Sequence, residues 1–197
     1  MFIALLDSCV LWPSTLRDFL LSLAIEQLYR PAWSGEILAE VEDNEAAKLT
    51  SRPPHLAPGD ARDRATHLVS AMRTAFPDAE NVGWEPLEGT FGLPDPDDEH
   101  VLAAAVLANA GAIITENWKD FPLHLVPPPI QILSAREFAR DTVALSPSSA
   151  LGAVRTLAVR SGRYGPKRTE DEILDILEHR YHLTEAVEMM KQARTLT

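Results

Sequence analysis

Short apolar runs alternate with helix-length amphipathic stretches along most of this chain. The runs Phe2–Leu6, Tyr29–Trp33, Ala112–Thr115 and Ile130–Leu133 predict strands, with Asn81–Trp84 as a weaker candidate. Between them, apolar spacing near 3.6 predicts helices over Ser14–Glu26, Ser34–Thr50, Gly59–Ala75 and Asp98–Ala110. Strands separated by helices of this length imply βαβ crossovers and a mostly parallel sheet flanked by helices, so the fold class is α/β. Val101 to Ala108 is apolar on nearly every face, which predicts a central helix packed on that sheet, and Gly111 is a natural residue just past its end. Pro53-Pro54, Pro58-Gly59, Pro86 to Pro96 and Pro127-Pro128-Pro129 mark loops through which no helix can run.

The pattern changes after Ile130–Leu133. Ser134-Ala135-Arg136-Glu137 reads as a capping box opening a short helix. Beyond it the chain is helical only: Ser146–Ser161, a turn at Gly162 to Pro166, a second capping box in Thr169-Glu170-Asp171-Glu172, and a last helix from Leu183-Thr184 to about Ala193. The expected organisation is an α/β domain over residues 1–142 and a small all-α C-terminal region over 143–197.

With 197 residues, 46% of them hydrophobic, the chain can bury a real core. The single Cys9 excludes an internal disulfide, and Phe2–Leu6 is too short to span a membrane and lacks the flanks of an export signal. The expected compartment is the cytoplasm. The net charge of −11 opposes a general electrostatic grip on nucleic acid, but its distribution is uneven. Residues 1–145 carry 10 Lys/Arg against 22 Asp/Glu, whereas 146–197 carry 8 against 7. Arg155, Arg160, Arg163, Lys167 and Arg168 follow one another with no acid among them. They are candidates to solvate a helix face or to hold phosphates.

In a parallel sheet the functional crevice lies at the carboxyl ends of the strands, and four acidic segments fall there. Asp7 closes the first strand. On the second helix, at about 100° per residue, Glu40 lies at the edge of the face defined by Ile37, Leu38 and Val41, while Glu36 is on the wetter side and Glu42 is the substitute on the other border. Asp95, Asp97 and Asp98, followed by Glu99, open the central helix; capping and the helix dipole account for one or two of them, and a cation would relieve the repulsion of the rest. Asp98 is the first choice and Asp95 the next. Thr115, Asn117 and Asp120 follow the strand expected beside the first, where they could hold a water or a phosphate oxygen. Hard oxygen ligands of this kind suit Mg²⁺ or Mn²⁺ and phosphodiester cleavage. The histidines show no paired metal spacing, and His100 reads as a surface residue of its helix. Cys9 has no evident base. Of the four tryptophans, Trp118 is the one whose position suits base stacking.

The blocks Leu5-Leu6-Asp7, Trp33-Ser34 with Ile37-Leu38-Ala39-Glu40, Leu93-Pro94-Asp95-Pro96-Asp97-Asp98-Glu99-His100-Val101, and Ile113-Ile114-Thr115-Glu116-Asn117-Trp118-Lys119-Asp120-Phe121-Pro122 resemble, in order, those of PIN-domain nucleases over about residues 1–140. Among these the chain is most similar to the VapC-type bacterial toxins, and its C-terminal part resembles the extra helical region of a larger VapC-like subgroup. The resemblance implies an endoribonuclease dependent on Mg²⁺ or Mn²⁺ and restrained by a VapB-like antitoxin, with a homodimer as the expected form. It assigns metal-binding carboxylates to Asp7, Glu40 and Asp98, with Asp95 or Asp97 supporting, and places Asn117 where some relatives have Asp. The implied mechanism is attack of a metal-activated water on an RNA phosphodiester, with Arg160, Arg163, Lys167 and Arg168 expected to hold RNA phosphates.

Two other readings compete. A phosphatase with Asp7 as nucleophile would need a second Asp two residues later, where Cys9 stands. A PIN-like module that binds RNA or protein without cutting is the alternative from another class, and retention of the carboxylates argues against it.

Overall fold

The computed structural model describes residues 1–163 and 165–195. Tyr164, inside the turn expected over Gly162 to Pro166, and the last two residues of the 143–197 region lie outside the described residues. The chain forms two compact units, one of Phe2–Trp12 and Pro31–Ile132, the other of Met1, Pro13–Arg30 and Leu133–Thr197. The units therefore do not follow a single cut near residue 142, because the helix over Ser14–Ile25 clusters with the C-terminal helices.

The first unit is built on a five-stranded parallel sheet of β1 (Ile3–Leu6), β2 (Arg30–Ser34), β3 (Glu80–Asn81), β4 (Ala112–Ile114) and β5 (Gln131–Leu133), in the order β3-β2-β1-β4-β5. Ala4, Leu5 and Leu6 pair in parallel with Ala112, Ile113 and Ile114, and all six are fully buried. A strand covered on both faces must be apolar at every position, which is why these runs are continuous rather than alternating. From β1 the chain winds outward to β2 and β3, then returns to β4 on the other side of β1. The order reverses between β1 and β4, and the carboxyl ends of strands at such a reversal are where open α/β sheets bind ligands.

The helices of this unit are α1 (Ser8–Leu11), α3 (Gly35–Ser51), α4 (Pro58–Ala75) and α5 (Glu99–Leu107). Ser34, fully buried at the end of β2, accepts the Ile37 N–H at 3.1 Å and so starts α3 directly off the strand. The expected angular division of α3 holds: Ile37, Leu38 and Val41 are buried, Glu36 is exposed and Glu40 sits at the border. Glu42 faces α4 instead, accepting from Thr66 at 2.8 Å and pairing with Arg62 at 3.4 Å. Residues 101–105 of α5 are fully enclosed, as their uniform apolarity requires.

Three expectations shift. The helix opened by the aspartates ends at Leu107, because Asn109 turns left-handed (φ 50°) and the Ala110 N–H reaches back to Ala105 O at 2.9 Å. Gly111 is accordingly not the capping residue; an added Cβ there would meet the Phe2 ring at 2.4 Å, so its role is a close approach. Strand β3 lies one residue earlier than expected and has only two residues, set by the pairs Trp33–Glu80 and Ser34–Asn81.

The second unit comprises α2 (Ser14–Ile25), α6 (Ala135–Leu145), α7 (Pro147–Arg160), α8 (Glu170–His179) and α9 (Thr184–Thr195), with α2 packed on α6, α7 and α8 and α9 on α6, α7 and α8. Both expected capping boxes form, at Ser134 with Glu137 and at Thr169 with Glu172. The Tyr29 ring meets Phe138 edge-on, 4.8 Å between centroids, and its hydroxyl donates to Leu20 O at 3.0 Å.

Candidate active site

Parallel register carries two of the predicted residues to one point. Leu6 pairs with Ile114, so the next residues, Asp7 and Thr115, leave their strands side by side at the reversal of strand order. The Asp7 N–H still donates to Ile114 O at 3.1 Å, and its carboxylate, 4% exposed, turns toward Thr115. The Thr115 hydroxyl donates to Asp7 Oδ2 at 2.6 Å and accepts the Asn117 N–H at 2.9 Å. This relay fixes Asp7 and the turn into Trp118–Asp120 at once.

Cys9 belongs to the same cluster. Its thiol donates to Asp7 Oδ2 at 3.2 Å, lies 3.4 Å from Thr115 Oγ1, and accepts the Glu116 N–H at 3.3 Å. Burial, then the nearby Asp7 charge, pushes the thiol up to about 12, which favours its protonated, weakly nucleophilic form.

The aspartates before α5 divide by role. Asp95 caps the turn Pro96–Asp98, its Oδ1 accepting the Asp97 N–H at 3.0 Å; both side chains are exposed. Asp98 is half-buried, and its carboxyl is pushed up to about 6 by desolvation first, then by the charges of Asp7, Asp120 and Asp95. Three segments distant in sequence, carrying Asp7, Asp95 with Asp98, and Asp120, thus bring like charges within electrostatic reach of one another. Glu99 does something else: 3% exposed, it accepts the N–H groups of Gly89, Phe91 and Leu93 at 3.1, 3.2 and 2.8 Å, pinning the loop that leads to the aspartates. Gly89 and Gly92, at φ 75° and 73°, supply the left-handed turns that aim those amides inward.

His100 is the residue the sequence reading misplaced. Expected on the surface, it is 5% exposed, its ring 5.9 Å from that of Trp84, with Nε2 3.0 Å from Glu40 Oε1. Burial resists charge on both partners of this pair, yet the His100 and Ser8 hydrogen bonds hold Glu40 below the usual carboxylate range. The Glu40 hydrogen bond and charge, with lesser help from Glu36 and Asp7, hold His100 above the usual imidazole range. A hydrophobic helix that hides a polar residue in its first turn leaves no periodic signal; the spacing of His100 two residues after Asp98 is the only trace in the sequence.

Asn117 and Trp118 are exposed beyond Thr115, Trp118 at 61%, with the Lys119 ammonium 5.6 Å from its ring centroid. The expected phosphate-binding residues belong to the second unit. There Arg160 and Arg163 are exposed, Arg168 is half-exposed, and Lys167 Nζ donates to the carbonyls of Ala158 and Val159 at 2.9 and 2.8 Å, at the C-terminal end of α7. Arg155 pairs with Glu170 at 3.1 Å.

Comparison with protein families matches residues 4–119, more than half of the chain, to the PIN domain. The chain belongs to the PIN-domain family. PIN domains are in general metal-dependent nucleases, and the ions they usually take are divalent, Mg²⁺ or Mn²⁺. The matched span holds the relay, the aspartates and the His100–Glu40 pair. Comparisons with curated proteins and with solved structures give no match.

The donor set of this PIN domain suits such an ion: its members are carboxylate oxygens, and a cation would offset the burial and, after it, the neighbouring carboxylate charges that raise Asp98. Among the described residues, no three His, Cys, Asp or Glu side chains are already gathered into a cage. The Asp7 charge acts on Asp98, and Glu40 is held by His100. No helix among the described residues is long and apolar enough to cross a membrane.

Proposed function

We propose that this PIN domain is a divalent-metal-dependent endoribonuclease and the toxin of a VapBC-type toxin–antitoxin pair, with Asp7, Glu40 and Asp98 as metal-binding carboxylates. The observation that carries the reading is the buried Asp7 carboxylate, held by the Thr115 hydroxyl at 2.6 Å where the strand order reverses. When bound, a divalent cation lowers the pKa of an attacking water and neutralises charge on the phosphate. Thr115 holds the Asp7 carboxylate in one orientation, and the loop pinned by Glu99 delivers Asp95 and Asp98. Asn117 is placed to hold a water or a phosphate oxygen. No covalent protein intermediate is needed, in keeping with a protonated Cys9.

Support for a nucleic acid substrate comes from Trp118, exposed beside Asn117 and Asp120, where an unpaired base could stack. Arg160, Arg163 and Arg168 add cations in a part of the chain where acids do not outnumber them, and Lys167 donates to the carbonyls at the end of α7. The toxin assignment, the VapB-like antitoxin and the homodimer rest on the ordered sequence blocks. The test is cleavage of labelled total RNA across a Mg²⁺ and Mn²⁺ titration, by the wild type and by Asp7→Asn. Cleavage that requires metal and is lost in Asp7→Asn is expected; equal cleavage by both proteins rejects the reading.

The non-catalytic alternative draws on one observation, the lack of a ready-made cage among the described residues. RNA bound without cleavage at any metal concentration would establish it.

A further inference from the structure

His100 is the least expected polar group in this molecule. It stands in the first turn of a helix that is apolar after Glu99 and His100, packed against the Trp84 ring, and its Nδ1 is buried with no hydrogen-bond partner among the described residues. A buried imidazole nitrogen without a partner carries an uncompensated desolvation cost. A Leu or Phe here would extend the core without that cost. The other nitrogen accounts for the polar residue: Nε2 meets Glu40 Oε1 at 3.0 Å, and because a carboxylate only accepts, Nε2 carries the proton.

We propose that His100 is a positioning residue, whose Nε2–H holds Glu40 in the orientation in which that carboxylate joins Asp7 and Asp98 around the divalent cation. The N-cap and first turn of α5 then supply a candidate ligand, Asp98, and the hydrogen bond that orients another on α3. Glu40 is half-exposed on a long flexible side chain and would otherwise sample several rotamers. Ser8, directly after Asp7, provides a second hydrogen bond to the same carboxylate. Two segments thereby fix a group carried on a third. Partners of this kind typically contribute about 10–100-fold in metal affinity.

The inference rests on the reading of Glu40 as a metal-binding carboxylate, and the experiment separates the two. Mn²⁺ binding to the full chain without RNA is measured by isothermal titration calorimetry. The proteins are the wild type, Glu40→Gln, His100→Phe, which keeps a ring against Trp84 but donates nothing, and His100→Gln, whose amide nitrogen reaches the place of Nε2. His100→Asn, whose amide reaches only the place of Nδ1, is a second non-donating variant should the Phe protein fail to fold. The expected result is a loss of about 10-fold or more in His100→Phe or His100→Asn, with His100→Gln restored to within about threefold of wild type. Unchanged or tighter binding in the non-donating variants, or equal loss in His100→Gln, overturns the inference. Wild-type affinity in Glu40→Gln overturns the reading beneath it, and no Mn²⁺ binding by the wild type overturns both.

Discussion

The Thr115 hydroxyl donates a 2.6 Å hydrogen bond to the Asp7 carboxylate across 108 positions of chain. Both groups lie one residue beyond a strand end, so the register of β1 on β4 sets the bond. It ties the geometry of the candidate site to the pairing of the two central strands.

Thr115→Val keeps the branched shape and removes the donor. A buried hydrogen bond to a charged group is worth about 1.5–3 kcal/mol, and a loss of that size is expected in urea unfolding. Mn²⁺ affinity should fall as well, because Asp7 loses its orienting partner. Unchanged stability and affinity would show that Cys9 alone holds the carboxylate.

Asp98 gives a pH dependence whose sign follows from its raised value. Its carboxyl moves from 3.8 to about 6, so the folded metal-free protein keeps a proton that the unfolded chain has released. Stability contributed by this group therefore falls as pH rises from about 4 to 6, and the full penalty is present above that. Asp98→Asn should relieve it. Solvent screening of a half-exposed group limits the gain to about 1 kcal/mol, or on the order of 2–4 °C in Tm for a domain of this size. A lower Tm for metal-free Asp98→Asn at pH 7.5 would contradict the crowding argument.

Mn²⁺ or Mg²⁺ should stabilise the wild type by mass action, about 2.7 kcal/mol at 100 times the Kd. The double variant Asp7→Asn/Asp98→Asn should lose that gain. An equal rise in Tm in both proteins would mark it as a nonspecific salt effect.

Glu99 accepts three backbone N–H groups, so Glu99→Ala strands amides of the loop before Asp95. A loss on the order of 3 kcal/mol is expected, with faster hydrogen exchange at Gly89, Phe91 and Leu93. Retained protection at those amides would mean that the loop holds itself.

Replacing Arg160, Arg163 and Arg168 with Ala should weaken RNA binding and flatten its log-log salt slope by about 0.7 per lost contact. Lys167 is left intact because its ammonium satisfies the last carbonyls of α7. Unchanged affinity and slope would mean that the segment is structural or faces a protein partner.

The periodicity of the chain determined the strands of the sheet, the division of α3 into a buried face and an acidic border, and both capping boxes, because each depends on residues within a few positions of one another. The ordered acidic blocks singled out Asp7, Glu40 and Asp98 as candidates, and their metal-binding role is the proposal to be tested. Only the tertiary structure decided what each polar residue touches. Glu99 looked like a fourth member of the acidic cluster, yet it turns inward to three amides of a preceding loop. His100 looked exposed, yet α5 is enclosed from its first turn and pairs it with Glu40, 60 residues earlier. α2 clusters with α6 to α9 across more than 100 residues of sequence. Contacts of that range depend on strand order, register and helix enclosure, which no local pattern of hydrophobic and polar residues encodes.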